Sequence, residues 1–143
     1  DLEAVCAQAQ DYLTPLPALS SRIEIFPGNF IREEFPEGPD TIVMMRVLHD
    51  WPEDTARLLL RKAYKALPPG GKLLVYETMR TSDDVPDETF AISMLMQLIS
   101  PAGKIRSFGE ISRFLEDAQF TNIEVIPTSY MYTLVTGEKP RKD

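Results

Sequence analysis

DTIVMMRVLHDWPEDTARLLLRKAYKALPPGGKLLVYE, residues 40–77, is the stretch that decides the fold class. Asp40–Val47 is an almost continuous apolar run, the pattern of a parallel strand covered on both faces. Apolar residues then recur at Ala56, Leu59, Leu60, Ala63, Tyr64 and Leu67, the offsets of one helical face within Asp54–Leu67. Pro68-Pro69-Gly70-Gly71 stops that helix, and Lys72–Glu77 (KLLVYE) reads as the next strand.

The alternation continues on both sides. Upstream, Leu2–Tyr12 reads as a helix and Ser21–Phe26 (SRIEIF) as a short strand ending at the turn Pro27-Gly28-Asn29. Downstream, an apolar helix is expected over Glu88–Ile99. Ser107 and Glu110 have capping-box spacing for a helix through about Asp117. Asn122–Pro127 and Tyr130–Gly137 read as an antiparallel pair. The class is therefore α/β, a layered sheet that is mostly parallel and ends in an antiparallel hairpin.

Composition narrows the function. The 143 residues include 43% hydrophobic and 26% charged ones, as expected of a globular domain able to bury a core without staples. A formal charge of −7, with basic residues scattered apart from Lys139, Arg141 and Lys142, argues against nucleic acid as a partner. No apolar run approaches the roughly 20 residues of a membrane span. The single cysteine, Cys6, excludes an internal disulfide and suits a reducing, cytoplasmic setting; it reads as a buried residue with no chemistry. The chain has neither a starting Met nor a signal-peptide pattern, and its abrupt opening at Asp1-Leu2-Glu3 leads us to expect further residues upstream.

Chemistry concentrates in Met45-Arg46-Val47-Leu48-His49-Asp50-Trp51-Pro52. Ligands of open α/β sheets bind beyond the carboxyl ends of the strands, where His49, the only histidine, is expected. It could be a satisfied structural histidine or a base. Glu77 ends the adjacent strand, where it could be an ordinary strand-end charge or could face the imidazole from the same rim. A phenol or alcohol attacking a sulfonium methyl must lose its proton. A neutral histidine, its tautomer fixed by a carboxylate, is suited to take it. No nucleophile elbow, phosphate loop or metal-ligand cluster is visible.

The run RVLHDWPED, with GNF upstream and PPGGKLLVYE downstream, resembles the plant and bacterial small-molecule O-methyltransferase family, from Asp1 to Gly137. Acetylserotonin, caffeate and antibiotic-tailoring O-methyltransferases belong to that family. The resemblance implies a partial class I, Rossmann-like methyltransferase fold with S-adenosylmethionine as cofactor and a small aromatic or polyketide-like acceptor of secondary metabolism. His49 then matches the general base and Glu77 one of two acids that hold it. Asp1 matches the ribose-binding carboxylate, and Gly28-Asn29-Phe30 the turn that receives the adenine, with Asn29 in place of the usual aspartate. Arg46 matches a basic residue near the cofactor; a strand residue pairing with a surface acid is its other reading. Asp50 falls to the acceptor. So do Met94 and Leu98, on a helix that also carries Phe90 and Met96 and whose apolar spacing equally fits core packing.

Two departures bear on the chemistry. The second acid that holds the histidine belongs to a Gly-Gly-Lys-Glu-Arg-Thr run, here Ala102-Gly103-Lys104-Ile105-Arg106-Ser107, and Ile105 cannot accept a hydrogen bond. The family's Gly-rich cofactor loop and its helical dimerisation domain have no counterpart in the 143 residues. Residues 1–143 are thus expected to be the C-terminal portion of the catalytic domain. Alone they should bind cofactor weakly; the whole protein should be a homodimer. Alternatives are a relative with altered chemistry, such as C-methylation or hydroxylation, and a non-catalytic domain kept for dimerisation or regulation.

Overall fold

The computed structural model describes residues 1–81, 90–99, 102–128 and 132–141, in two compact units, 1–35 and 36–143. In the first unit, α1 spans Glu3–Leu13 and α2 spans Pro17–Ser20. Pro17 occupies the first turn of α2, where its fixed φ suits a helix start and its missing N–H costs nothing. Cys6 is buried, its Sγ directed at the carbonyls of Asp1 and Phe26. The strand expected over Ser21–Phe26 is not formed. Its alternating residues are present, but a strand is defined by its ladder partner, and no described strand pairs with 21–26.

The second unit carries β1 (Thr41–Met45), α3 (Glu53–Ala66), β2 (Lys72–Thr78), α4 (Phe90–Ile99), α5 (Phe108–Asp117), β3 (Thr121–Pro127) and β4 (Tyr132–Glu138). The sheet order is β1-β2-β4-β3. β1 and β2 are parallel, in a register running from Thr41 opposite Lys72 to Met45 opposite Tyr76. β4 is antiparallel to both β2 and β3, so the hairpin is present and the sheet within this chain is mixed.

One side of the sheet holds the core. Met44, Leu73, Val75 and Val135 are buried with Leu59, Leu60 and Ala63 of α3 and Ile111, Phe114 and Leu115 of α5. The helical spacing of α3 places its buried residues as the sequence suggests, and Tyr64 packs edge-on against Phe120 at 5.2 Å. Lys139 closes the end of α3, its Nζ donating to the carbonyls of Tyr64 and Leu67. The α3–β2 turn depends on glycine at two positions. Gly70 has φ +82°, and a Cβ on Gly71 would come within 2.9 Å of the Pro68 carbonyl. Ser107 and Glu110 form the expected capping box. The opposite side differs from the expectation for β1, since Val43 and Met45 are more than half exposed. No described helix is long and apolar enough to cross a membrane.

Candidate active site

β1 and β2 run side by side, and β2 continues two residues past the Met45–Tyr76 pair, which brings the residues after Met45 against the end of β2. There the chain turns sharply. Arg46 adopts φ +53°, a conformation L residues rarely hold, and donates its N–H to the Tyr76 carbonyl at 2.9 Å. A single 3₁₀ turn, Leu48–Asp50, follows.

Glu77 organises this turn. Its carboxylate is 3% exposed and lies on the core side of β2. Oε1 accepts the N–H groups of Val47 and Leu48, both at 2.7 Å, and Oε2 lies 2.5 Å from His49 Nδ1. Two otherwise orphaned backbone donors and one imidazole therefore share one carboxylate. A buried anion is tolerable only with such partners. An ionised Oε2 would accept from Nδ1–H, an arrangement that in the neutral ring leaves the lone pair on Nε2.

The imidazole is buried, with Asp50 Oδ1 3.4 Å from Nε2 and the Asp50 side chain about half exposed. The hydrogen bond to Glu77 raises the His49 pKa above 6.5; burial opposes this, the charges of Glu77 and Asp50 reinforce it, and Arg46 opposes it. Hydrogen bonding outweighs burial here, so the ring is a stronger base than an ordinary histidine.

The other wall is the loop before α5. Lys104 N–H donates to the His49 carbonyl at 2.8 Å, and the Arg106 guanidinium donates to the carbonyls of Leu48 and Trp51. Ile105, between them, is 2% exposed. No acid stands at 105, and among the described residues the carboxylates within 4 Å of the ring are those of Glu77 and Asp50. The recess at His49 and Glu77, lined also by Met79 and Ile111, measures about 10 Å³, room for roughly one water.

The remaining residues singled out in the sequence fall elsewhere. Arg46 is exposed at the end of β1. Met94 and Leu98 are exposed on α4, as are Leu95 and Ile99, so these four do not form a core, and none of them lines the His49 recess. Phe90 and Met96 lie on the same helix, their side chains outside the described residues.

In the first unit, Gly28 N–H donates to the Asp1 carbonyl at 2.8 Å, which brings together residues 27 positions apart. The Asp1 side chain is exposed and accepts from Leu2 N–H. Asn29 Oδ1 accepts from the N–H groups of Ile31 and Arg32, and Glu33 accepts Asn29 N–H. Both lone pairs of the Asn29 oxygen are thus used within its own turn. Phe30 is half-buried beside it.

Sequence reasoning passed over Arg106. The run 102–107 drew notice for the acid it lacks, not for its arginine. The available signal was an arginine between Ile105 and the helix cap Ser107, a place where a solvated charge is not expected.

A buried histidine bonded to a buried carboxylate thus stands where two parallel strands of an α/β fold lie side by side. The O-methyltransferase domain model matches residues 1–121, and the chain belongs to that family. Acetylserotonin O-methyltransferase of Gallus gallus is 35% identical over 140 residues, covering 97% of this chain and 39% of the relative. The crystal structure of human N-acetylserotonin methyltransferase in complex with SAM superposes with a TM-score of 0.75 and 29% identity, over 84% of this chain and 34% of that one. An O-methyltransferase family 2 protein from Planctomyces limnophilus, in complex with apigenin, gives a TM-score of 0.87 and 29% identity, over 97% and 41%. The chain thus spans well under half the length of these relatives, and its fold is that of S-adenosylmethionine-dependent methyltransferases.

Proposed function

We propose that residues 1–143 are the C-terminal part of the catalytic domain of an enzyme that methylates a hydroxyl of a small, aromatic or polyketide-like molecule, with S-adenosylmethionine as donor and His49 as base. The observation that carries this reading is the His49–Glu77 pair, with Nδ1 2.5 Å from a buried carboxylate oxygen; an ionised Glu77 favours the proton on Nδ1 and so leaves Nε2 of the neutral ring as acceptor.

The residues of the first unit suit the cofactor. An exposed carboxylate at Asp1 can accept both vicinal hydroxyls of a ribose. The turn at Gly28, bonded to Asp1 through its backbone, brings Asn29 and Phe30 to the same place. With its oxygen occupied, Asn29 would meet adenine through its amide nitrogen, as a donor to a ring nitrogen. When bound, the cofactor would supply a methyl group whose C–S bond to the sulfonium breaks as the C–O bond forms, the sulfur leaving as the neutral thioether of S-adenosylhomocysteine, so the acceptor oxygen needs only alignment and loss of a proton. His49 Nε2 takes that proton as the new C–O bond forms, and Glu77 stabilises the imidazolium that results. Asp50, beside Nε2, is positioned to hold the incoming hydroxyl through a hydrogen bond and so fix its approach. The raised His49 pKa strengthens the base, at the cost of a smaller neutral fraction near pH 7.

The acceptor is a small molecule, neither nucleic acid nor lipid bilayer, and homodimerisation in the cytoplasm belongs to the same proposal, on the strength of the family resemblance. In the test, the whole protein is incubated with methyl-labelled S-adenosylmethionine and a panel of phenols and polyketides. Label on an acceptor oxygen is the expected result. Label on carbon, or a hydroxylated product, would favour a relative with altered chemistry. Absence of cofactor binding would favour a non-catalytic domain.

A further inference from the structure

The 3₁₀ turn that carries His49 is weak on its own. Its internal bonds, Asp50 N–H to Val47 and Trp51 N–H to Leu48, are both 3.3 Å, at the long end for N–H···O. Something outside it must set the ring's position.

On the N–H side that support is Glu77. On the carbonyl side the Lys104 N–H holds the His49 carbonyl at 2.8 Å, and Arg106, a residue 4% exposed, holds the carbonyls on either side of it. Nη1 donates to the Leu48 carbonyl at 2.7 Å and Nη2 to the Trp51 carbonyl at 2.8 Å. The two carbonyls flank His49, one residue before it and two after, and the rigid fork of the guanidinium spans them. Among the described residues no carboxylate forms an ion pair with Arg106, and burial pulls its pKa below the ordinary guanidinium range. A buried cation serving two neutral carbonyls is a costly way to fill space, since an apolar side chain of similar volume would fill it with no desolvation penalty. The Phe114 ring, its centroid 5.6 Å from the guanidinium carbon, offsets part of that cost; what the two hydrogen bonds add is a fixed distance between two points of the turn.

We propose that Arg106 is a positioning residue for methyl transfer, clamping the Leu48–Trp51 turn so that the His49 ring stays seated on Glu77 with Nε2 aimed outward. This rests on His49 being the base. The step concerned is the transfer of the acceptor's proton to Nε2. A ring displaced by about 1 Å can lose on the order of 100-fold in rate with its chemistry otherwise intact.

The test uses the whole protein with Arg106→Met, Arg106→Lys and, separately, His49→Gln. Arg106→Met keeps length and removes the donors; Arg106→Lys restores a donor to one carbonyl. Three quantities are read: kcat at saturating substrates, the Kd of S-adenosylhomocysteine, and the titration of the His49 ring by ¹⁵N NMR, its signal assigned by its loss in His49→Gln. For Arg106→Met we expect kcat to fall about 30- to 100-fold, with KM and Kd changed less than about twofold. For Arg106→Lys we expect part of the loss to be recovered. The ring pKa should drop toward 6.5 as its seat on Glu77 loosens. Merely deleting a nearby positive charge would instead raise it, so the sign separates the two causes.

Wild-type kcat and an unmoved titration in folded Arg106→Met would overturn the proposal, as would a rise in the ring pKa or a parallel loss of kcat and cofactor affinity. If Arg106→Met does not fold, Arg106→Lys decides: an unchanged titration and kcat overturn the proposal, and a lowered pair supports it. Full turnover in His49→Gln would instead defeat the base assignment, while the titration still reports whether Arg106 seats the ring.

Discussion

Replacing Glu77 with glutamine changes one atom and reverses the logic of the site. The carboxylate accepts three hydrogen bonds, two from the backbone at Oε1 and one from His49 at Oε2. A glutamine keeps an oxygen for one set and offers an NH₂ to the other. Turning the NH₂ toward Val47 and Leu48 sets donor against donor twice in a buried place, at about 1–3 kcal/mol for each unsatisfied group. The oxygen therefore stays with the backbone and the NH₂ faces Nδ1. His49 must then accept at Nδ1, carry its proton on Nε2, and lose the lone pair that receives the acceptor's proton. General-base catalysis contributes about 10²–10⁴-fold, so kcat in the whole protein should fall by that factor, equivalent to about 3–5 kcal/mol at 1.36 kcal/mol per decade. Thermal stability should change far less, since the replaced contact is one charge-assisted bond worth roughly 1.5–3 kcal/mol, partly remade by the amide. Single-turnover transfer of labelled methyl, measured across pH, reads the loss of rate, and thermal unfolding reads the change in stability. Glu77 is the main cause of the raised His49 pKa, and burial works against it, so the inflection of the rate should also move down. A variant within threefold of wild type, with its inflection unmoved, would refute the reasoning.

In the unmodified whole protein, the rate should rise with pH as Nε2 loses its proton, with a midpoint above 6.5; a midpoint at or below 6.5 would count against the Glu77 contact. The same shift bears on stability with the opposite sense. A raised folded-state pKa contributes stability that is fully present below 6.5 and is lost as pH climbs through the folded value, which unfolding measured on both sides of that window checks. Asp1→Asn should weaken cofactor binding by about 10- to 100-fold through loss of a charged acceptor, with kcat at saturation nearly unchanged; calorimetry reads the first and initial rates the second. Ser107→Ala removes the hydroxyl that caps α5 at Glu110 N–H and should lower stability by about 0.5–2 kcal/mol in thermal unfolding.

Periodicity made the second unit legible. The helical face of Asp54–Leu67, the turn at Pro68–Gly71 and the Ser107–Glu110 box are local patterns, and each became the element expected. Ser21–Phe26 failed because a strand is a relation between two segments, and alternation specifies only one of them. The candidate site divides in the same way. His49 and Glu77 could be matched because both stand at strand ends that a parallel pairing must align. Arg106 was invisible because its role depends on two carbonyls 55 and 58 residues away, and backbone acceptors leave no mark in a sequence. Asn29 could be read as a substitution, but the use of its oxygen inside its own turn is a fact of local geometry.

On the proposed function, His49 accepts a proton and does nothing else essential. His49→Gln in the whole protein separates that role from all others when kcat and the Kd of S-adenosylmethionine are measured on the same preparation. A fall in kcat of about 10²–10⁴-fold is expected, with Kd changed less than about twofold. Turnover near wild type, or equal losses in kcat and cofactor affinity, would contradict it.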